Sequence, residues 1–304
     1  MKRKVAQIGP CTLMVSLPAK WAKTNNIKKG DEVDIIEENQ LLKISVNESK
    51  PVLRKKILDT SNIEKNITRY LAAIYRKGYD SVEIRFKEPG FIKEIQKSLR
   101  FFIGFEIVEH GDHYCRIKKI SAGVEGEFDS ILKRTFLLLL SSSEDSLKII
   151  KKGEFSSLID MYHLEETNNT FTTFCRRLLL KQNNNINYVV PILYYIIEQL
   201  EKIADEYKYI CDCLMGFKKN EKLSANMINI YSLVNDLLRS FYHYFYKYDI
   251  KDSFKISIKS KEIIKKSYQL FEKCPKKEIR TLHHLINITM IIKNISTVYL
   301  VDKM

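Results

Sequence analysis

The chain has 304 residues, 45% of them hydrophobic, with 51 basic against 37 acidic side chains and a formal net charge of +14. That length gives room for a real core and about two domains. No stretch reaches the ~18 uninterrupted apolar residues of a membrane span, and the basic N-terminus lacks the apolar segment of a signal peptide, so a cytoplasmic protein is expected. The basic balance admits a polyanion partner, whether nucleic acid or an anionic membrane surface. The excess is uneven: residues 251–304 hold twelve Lys/Arg against five Asp/Glu, and residues 1–48 hold eight against six. The six cysteines are scattered, Cys211 and Cys213 forming only Cys-x-Cys. No zinc spacing exists, and reduced, buried thiols are expected.

Along the chain, residues 1–48 form the first region. Residues 12–17 alternate and are rich in β formers, which predicts a strand. Pro18 suits the first position of a helix that runs through Trp21 to Lys23 and stops at Asn25-Asn26. Lys28-Lys29-Gly30-Asp31 predicts a turn with Gly30 at positive φ. Residues 32–36 and 41–46 predict two further strands joined at Glu38-Asn39-Gln40. Under fifty residues do not readily build an independent core, so dimerisation is expected. Trp21, the only tryptophan, is read as filling a small core rather than stacking on bases.

The second region, 49–123, predicts helices at 62–77 and 91–102 and strands at 81–86, 105–108 and 114–120, a small α/β module. Its "EHGDHYC" stretch gathers His110, Asp112, His113 and Cys115. A hairpin tip places the same residues there by turn chemistry alone, and no tetrahedral ligand spacing supports a metal.

The third region, 124–304, carries one helical pattern after another, at 127–151, 154–181, 185–216, 223–248, 253–273 and 276–301, with breaks at Gly153, residues 182–184, Gly216, Asp249 and Pro275. Six helices of similar length suggest a bundle whose halves are a diverged repeat. The third helix reads "YYIIEQLEKIADEYKYI", which sets Glu198, Glu201 and Asp205 at i, i+3 and i+7 on one face. The second helix carries Glu165 and Glu166. Antiparallel packing would bring these acids together, an arrangement suited to hard cations or iron. The alternative is a solvated face paired with lysines such as Lys202. No Ser-His-Asp arrangement, P-loop or dinucleotide fingerprint appears, and a non-enzyme is expected.

Two family resemblances add to these readings. "VSLPAKWAKTNNIKKGDEVDIIEENQLLKI" resembles the swapped-hairpin domain of AbrB, MazE and SpoVT, in which two chains interleave strands into one barrel and the dimer binds DNA. The resemblance implies a homodimer and duplex DNA as partner, with Lys2, Arg3 and Lys4 on the first segment and Lys20 and Lys23 on the short helix as contacts. "QLEKIADEYKYI" and "LEETNNTFTTFCRRLL" resemble paired helices of the PhoU-like phosphate uptake regulators, whose fold is two three-helix repeats and whose E/D-x-x-x-D motifs hold metal clusters. Carried over, this implies Glu165, Glu201 and Asp205 as ligands of iron or a divalent metal (Mg or Zn) in the first repeat. Glu166 and Asn168 also match, while Asn169 stands where the family has Arg. In the second half, Lys293 and Thr297 take the places of Glu and Asp, so no second cluster is implied.

The order of the three regions resembles archaeal phosphate uptake regulators over nearly the whole chain. The expected fold is therefore multidomain α+β: an N-terminal swapped-hairpin β-barrel half, a small α/β module and an all-α PhoU-like bundle. The expected function is DNA-binding regulation of phosphate uptake. One alternative is an adaptor that docks on phosphate transporter components and uses the first region only to dimerise. Another is a metal-dependent enzyme built on Glu165, Glu201 and Asp205.

Overall fold

The structure is a computed structural model that describes residues 2–38, 41–46, 53–60, 66–120, 124–181, 189–218 and 221–304. The expected turn at Asn39-Gln40, the first residues of the helix expected from 62 and the break at 182–184 lie outside the described residues. Contacts divide the chain into two compact units, Met1–Leu53 and Arg54–Met304. The sequence sets three regions, but the α/β module and the helices belong to one unit here.

The first unit holds two hairpins. Strand β1 (Val5–Gln7) pairs antiparallel with β2 (Leu13–Val15), with Val5 opposite Val15. Helix α1 (Ala19–Thr24) follows, with Pro18 as its N-cap, one position earlier than the sequence suggests. The Asn25 side chain folds back on the Trp21 carbonyl at 2.8 Å. The next turn forms as expected: the Asp31 carboxylate accepts from the Lys28 amide at 2.7 Å, and Gly30 takes φ +97°, a conformation glycine adopts without a Cβ clash. Strands β3 (Val33–Glu38) and β4 (Leu41–Val46) pair antiparallel, from Val33 opposite Val46 to Glu38 opposite Leu41. Each hairpin is its own two-stranded sheet, and the single chain closes no barrel among the described residues.

The second unit opens with a four-stranded sheet in the order β5-β6-β8-β7, formed by β5 (Lys55–Asp59), β6 (Ser81–Arg85), β7 (Phe105–Gly111) and β8 (Tyr114–Lys119). β5 and β6 are parallel and the other pairs antiparallel, with a register shift between Ile107 and Glu109 on the β7 edge. The parallel pair requires a crossover, which α2 (Ile67–Arg76) supplies. With α3 (Ile92–Leu99), α2 packs Leu71, Tyr75 and Ile95 against Val82, Ile84 and Ile117, all buried.

Six helices complete the unit: α4 (Phe128–Lys152), α5 (Asp160–Lys181), α6 (Val189–Met215), α7 (Ala225–Tyr246), α8 (Ile250–Phe271) and α9 (Ile279–Lys303). They form two three-helix sets, α4–α6 and α7–α9, joined chiefly by α6 on α9 and by α4 on α7. Gly153 ends α4 in the left-handed region at φ +76°, the usual role of a glycine after a helix. The segment Lys276–Lys303 is long and apolar enough to cross a membrane by length and composition. The expectation of no span rested on uninterrupted apolar runs; here this helix packs on α6, α7 and α8, burying Leu285, Ile288, Ile292 and Ile295.

Helix α5 also packs on α2, so the sheet layer and the bundle share one apolar core. The Arg177 guanidinium, 2% exposed, fastens them. It donates to the carbonyls of Tyr75 (2.7 Å) and Tyr79 (2.8 Å) and to Asp80 Oδ1 (2.8 Å), over the Tyr75 ring. Lys181 reaches the same carboxylate at 3.0 Å.

Candidate functional site

The N-terminal cations lie where a ligand can reach them. Lys2, Arg3 and Lys4 are exposed on the segment leading into β1, and Lys20 and Lys23 are exposed on α1. None makes an ion pair among the described residues. Around them the unit lacks a closed interior: no described residue of it is buried. Leu17, Trp21 and Val33 are only half-buried, whereas Val5, Leu13, Val15, Ile35 and Leu42 are exposed. The exposures of Leu13 and Leu42 are 70% and 67%.

The carboxylates of α5 and α6 do come together, but around cations of the protein itself. Glu165, 8% exposed, accepts from Lys208 Nζ at 2.7 Å and from Asn169 Nδ2 at 2.7 Å. Lys208 also reaches Asp205 Oδ1 at 3.3 Å, one turn back on α6. Burial, then the neighbouring Glu165 carboxylate, push the Asp205 carboxyl up to about 6, with Lys208 pulling the other way. Burial works against the charge of Lys208, yet the two carboxylates outweigh it and raise its pKa. Glu201 stands apart from this pair: its Oε2 accepts from Thr172 Oγ1 at 2.8 Å and from the buried Arg176 guanidinium.

These residues do not fit a resident metal ion. Two unpartnered buried amide oxygens, of Asn168 and Asn169, adjoin the cluster, and a cavity of about 10 Å³ touches Glu165, Asn168 and Lys208. The cation position between Glu165 and Asp205 is nevertheless taken by the Lys208 ammonium, and a metal there would meet a like charge. Among the described residues no group of three or more His, Cys, Asp or Glu side chains is arranged to hold a metal. The three acids expected to hold iron, Mg or Zn are instead paired with cations of the chain: Glu165 and Asp205 share the Lys208 ammonium, and Glu201 meets the Arg176 guanidinium.

The partners are the ones the sequence reading missed. Lys202 pairs with Glu198 at 3.6 Å and does not enter the cluster. Lys208 and Arg176 do, and the i, i+3 step from Asp205 to Lys208 was the available signal. Glu166 points away, to Arg100 of the sheet layer at 3.1 Å. In the second repeat Lys293 lines an open groove with Lys261 and Lys265, and no acid cluster forms there. At the β7–β8 tip, His110, Asp112 and His113 are exposed while Cys115, inside β8, is buried. Cys115, Cys175 and Cys211 are buried free thiols, Cys213 and Cys274 are half-buried, and Cys11 is exposed.

Comparison with known proteins finds the following similarities. Residues 12–54 match a family model, that of the MazE antitoxins, described as "Antidote-toxin recognition MazE, bacterial antitoxin". The crystal structure of the phosphate transport system regulatory protein PhoU from Streptococcus pneumoniae is similar to this chain at 16% identity and a TM-score of 0.47, over 57% of this chain and 91% of that one. No curated protein matches the chain.

Proposed function

We propose that the chain is a homodimeric, DNA-binding regulator of phosphate uptake that acts in the cytoplasm by binding rather than by catalysis. The observation behind this reading is the bare apolar surface of the first unit. Leu13, Val15, Ile35 and Leu42 are exposed in a single chain, and a second copy would cover them. The family match over residues 12–54 supports a MazE-like unit, and five exposed cations without ion pairs are available to phosphates. The link to phosphate uptake rests on the sequence motifs of α5 and α6. The acids of those helices meet internal cations, Lys208 for Glu165 and Asp205 and Arg176 for Glu201.

The test is a gel shift across salt concentrations. Each neutralised phosphate releases counterions, so log affinity should fall by about 0.9 per phosphate per log unit of salt. Arg3→Ala with Lys4→Ala should weaken duplex binding and flatten that slope. Unchanged affinity and slope would favour the adaptor reading, in which the first unit only dimerises and the basic bundle docks on transporter components. The family description supplies a further reading, in which a toxin rather than a second copy covers the strands. Light scattering separates the two, since a monomer at high concentration would contradict the homodimer.

A further inference from the structure

The two repeats treat their middle helices differently. Helix α5 is covered: residues 172–179 are all buried, and Arg177 ties it to the sheet layer. Helix α8 holds the same place in the second repeat, packs on α7 and α9, and buries one narrow stripe of Ile256, Ser260, Ile263 and Ser267. Its outward side is neither polar nor bare of charge. Ile250, Phe254, Ile258, Lys261, Lys265 and Tyr268 follow one another at steps of three and four, so they share a face. Phe254 is 69% and Tyr268 61% exposed, with Ile250 and Ile258 also open to solvent.

The charge on this face is unbalanced. Asp252 is held by Lys255 at 2.7 Å. Lys251, Lys261, Lys265 and Lys293 make no ion pair among the described residues, and Lys261, Lys265 and Lys293 line one open groove of about 490 Å³ in which Glu272 is the lone acid. We propose that this face of α8 docks on an anionic lipid bilayer. Ile250, Phe254 and Ile258 would enter the boundary between headgroups and acyl chains, while the lysines meet lipid phosphates and carboxylates. A helix with apolar side chains flanked by lysines gains from both at once. A second copy of the chain would oppose lysine to lysine. Duplex DNA would reward the lysines but leave Phe254 and the isoleucines in water. The proposal concerns the unit Arg54–Met304 and stands apart from DNA binding by the first unit.

Flotation of the full-length chain with vesicles tests it. Binding to phosphatidylcholine vesicles containing phosphatidylserine should exceed binding to phosphatidylcholine alone by about tenfold or more, and added salt should weaken it. Lys261→Gln with Lys265→Gln, and separately Phe254→Ser with Ile258→Ser, should each reduce it about tenfold. All four side chains lie on the outward face, and melting of the variants checks that the bundle persists. Arg3→Ala with Lys4→Ala should bind vesicles like the parent chain. Absence of a preference for the anionic vesicles would overturn the proposal. So would retention of binding by both α8 variants, or loss of binding in the Arg3/Lys4 variant alone. Retention on poly-glutamate or duplex DNA that falls with Phe254→Ser/Ile258→Ser, with no vesicle binding, would reassign the face to an acidic protein or a nucleic acid.

Discussion

Lys208 is the residue on which the α5–α6 cluster depends. Removing one partner of a buried ion pair strands the other charge, at a cost of about 3–5 kcal/mol when burial is complete. Lys208 is partly exposed and Glu165 is not, so Lys208→Ala should lower stability by about 3 kcal/mol in denaturant unfolding. It should also open the cation position. A chelator should leave the parent chain's Tm unchanged, and millimolar Mg or Zn should raise the Tm of Lys208→Ala, as a ligand of the folded state must. A parent Tm that drops on chelation would restore the metal. Asp205 gives a pH signature. Its folded-state carboxyl, at about 6, lies above the ordinary ~3.9 of an unfolded aspartate. The folded state therefore binds more protons in that window, and this group's contribution to stability declines as pH rises from about 4 to about 6. Asp205→Asn removes the penalty. The stability difference, variant minus parent, should grow by about 1–2 kcal/mol between pH 4 and pH 7 and then level off, and a constant difference would contradict the assignment.

At the scale of elements, Arg177 joins α5 to the turn between α2 and β6. Arg177→Met would remove the guanidinium bonds to the Tyr75 and Tyr79 carbonyls and to Asp80, which keeps Lys181 as a charged partner, at a cost of about 3 kcal/mol. Hydrogen exchange should then quicken in β5, β6 and β8 while α7–α9 keep their protection; uniform loss would mean that no separable layer exists. How much of this was legible in the sequence follows element by element. The long helices were, because a 3.6-residue apolar period over twenty residues has few other solutions. Strands β3 and β4 were, because apolar runs flank a turn there and Gly30 marks the entry. Strands β1 and β5 were not. "VAQ" is too short to show a period, and "KKILD" at the sheet edge is exposed at four of its five positions, so neighbours rather than side chains define it. The proximity of Glu165 to Asp205 was readable from helix faces. The Asp205–Lys208 step of three was readable as well, but the Arg176–Glu201 pair was not, since spacing along α6 does not show what α5 presents across the interface.

At the scale of the whole molecule, the two units should melt by different rules. No described residue of the fragment Met1–Leu53 is buried, so as a homodimer its Tm should climb by about 5 °C per tenfold rise in concentration. The fragment Arg54–Met304 has one contiguous core, and its Tm should not move. A first unit whose melting ignores concentration would contradict the second copy. A chain that recruits a partner through open strands in one unit, as proposed above, would have to deny the same invitation in the other. The four-stranded sheet does so at both rims. β5 presents Lys55 and Lys56 on one, and the irregular step between Ile107 and Glu109 breaks the other. Neither rim is a good template for a stranger's strand. On the homodimer proposed above, association would thereby stay at counted pairs and would not run on, sheet to sheet, into fibres.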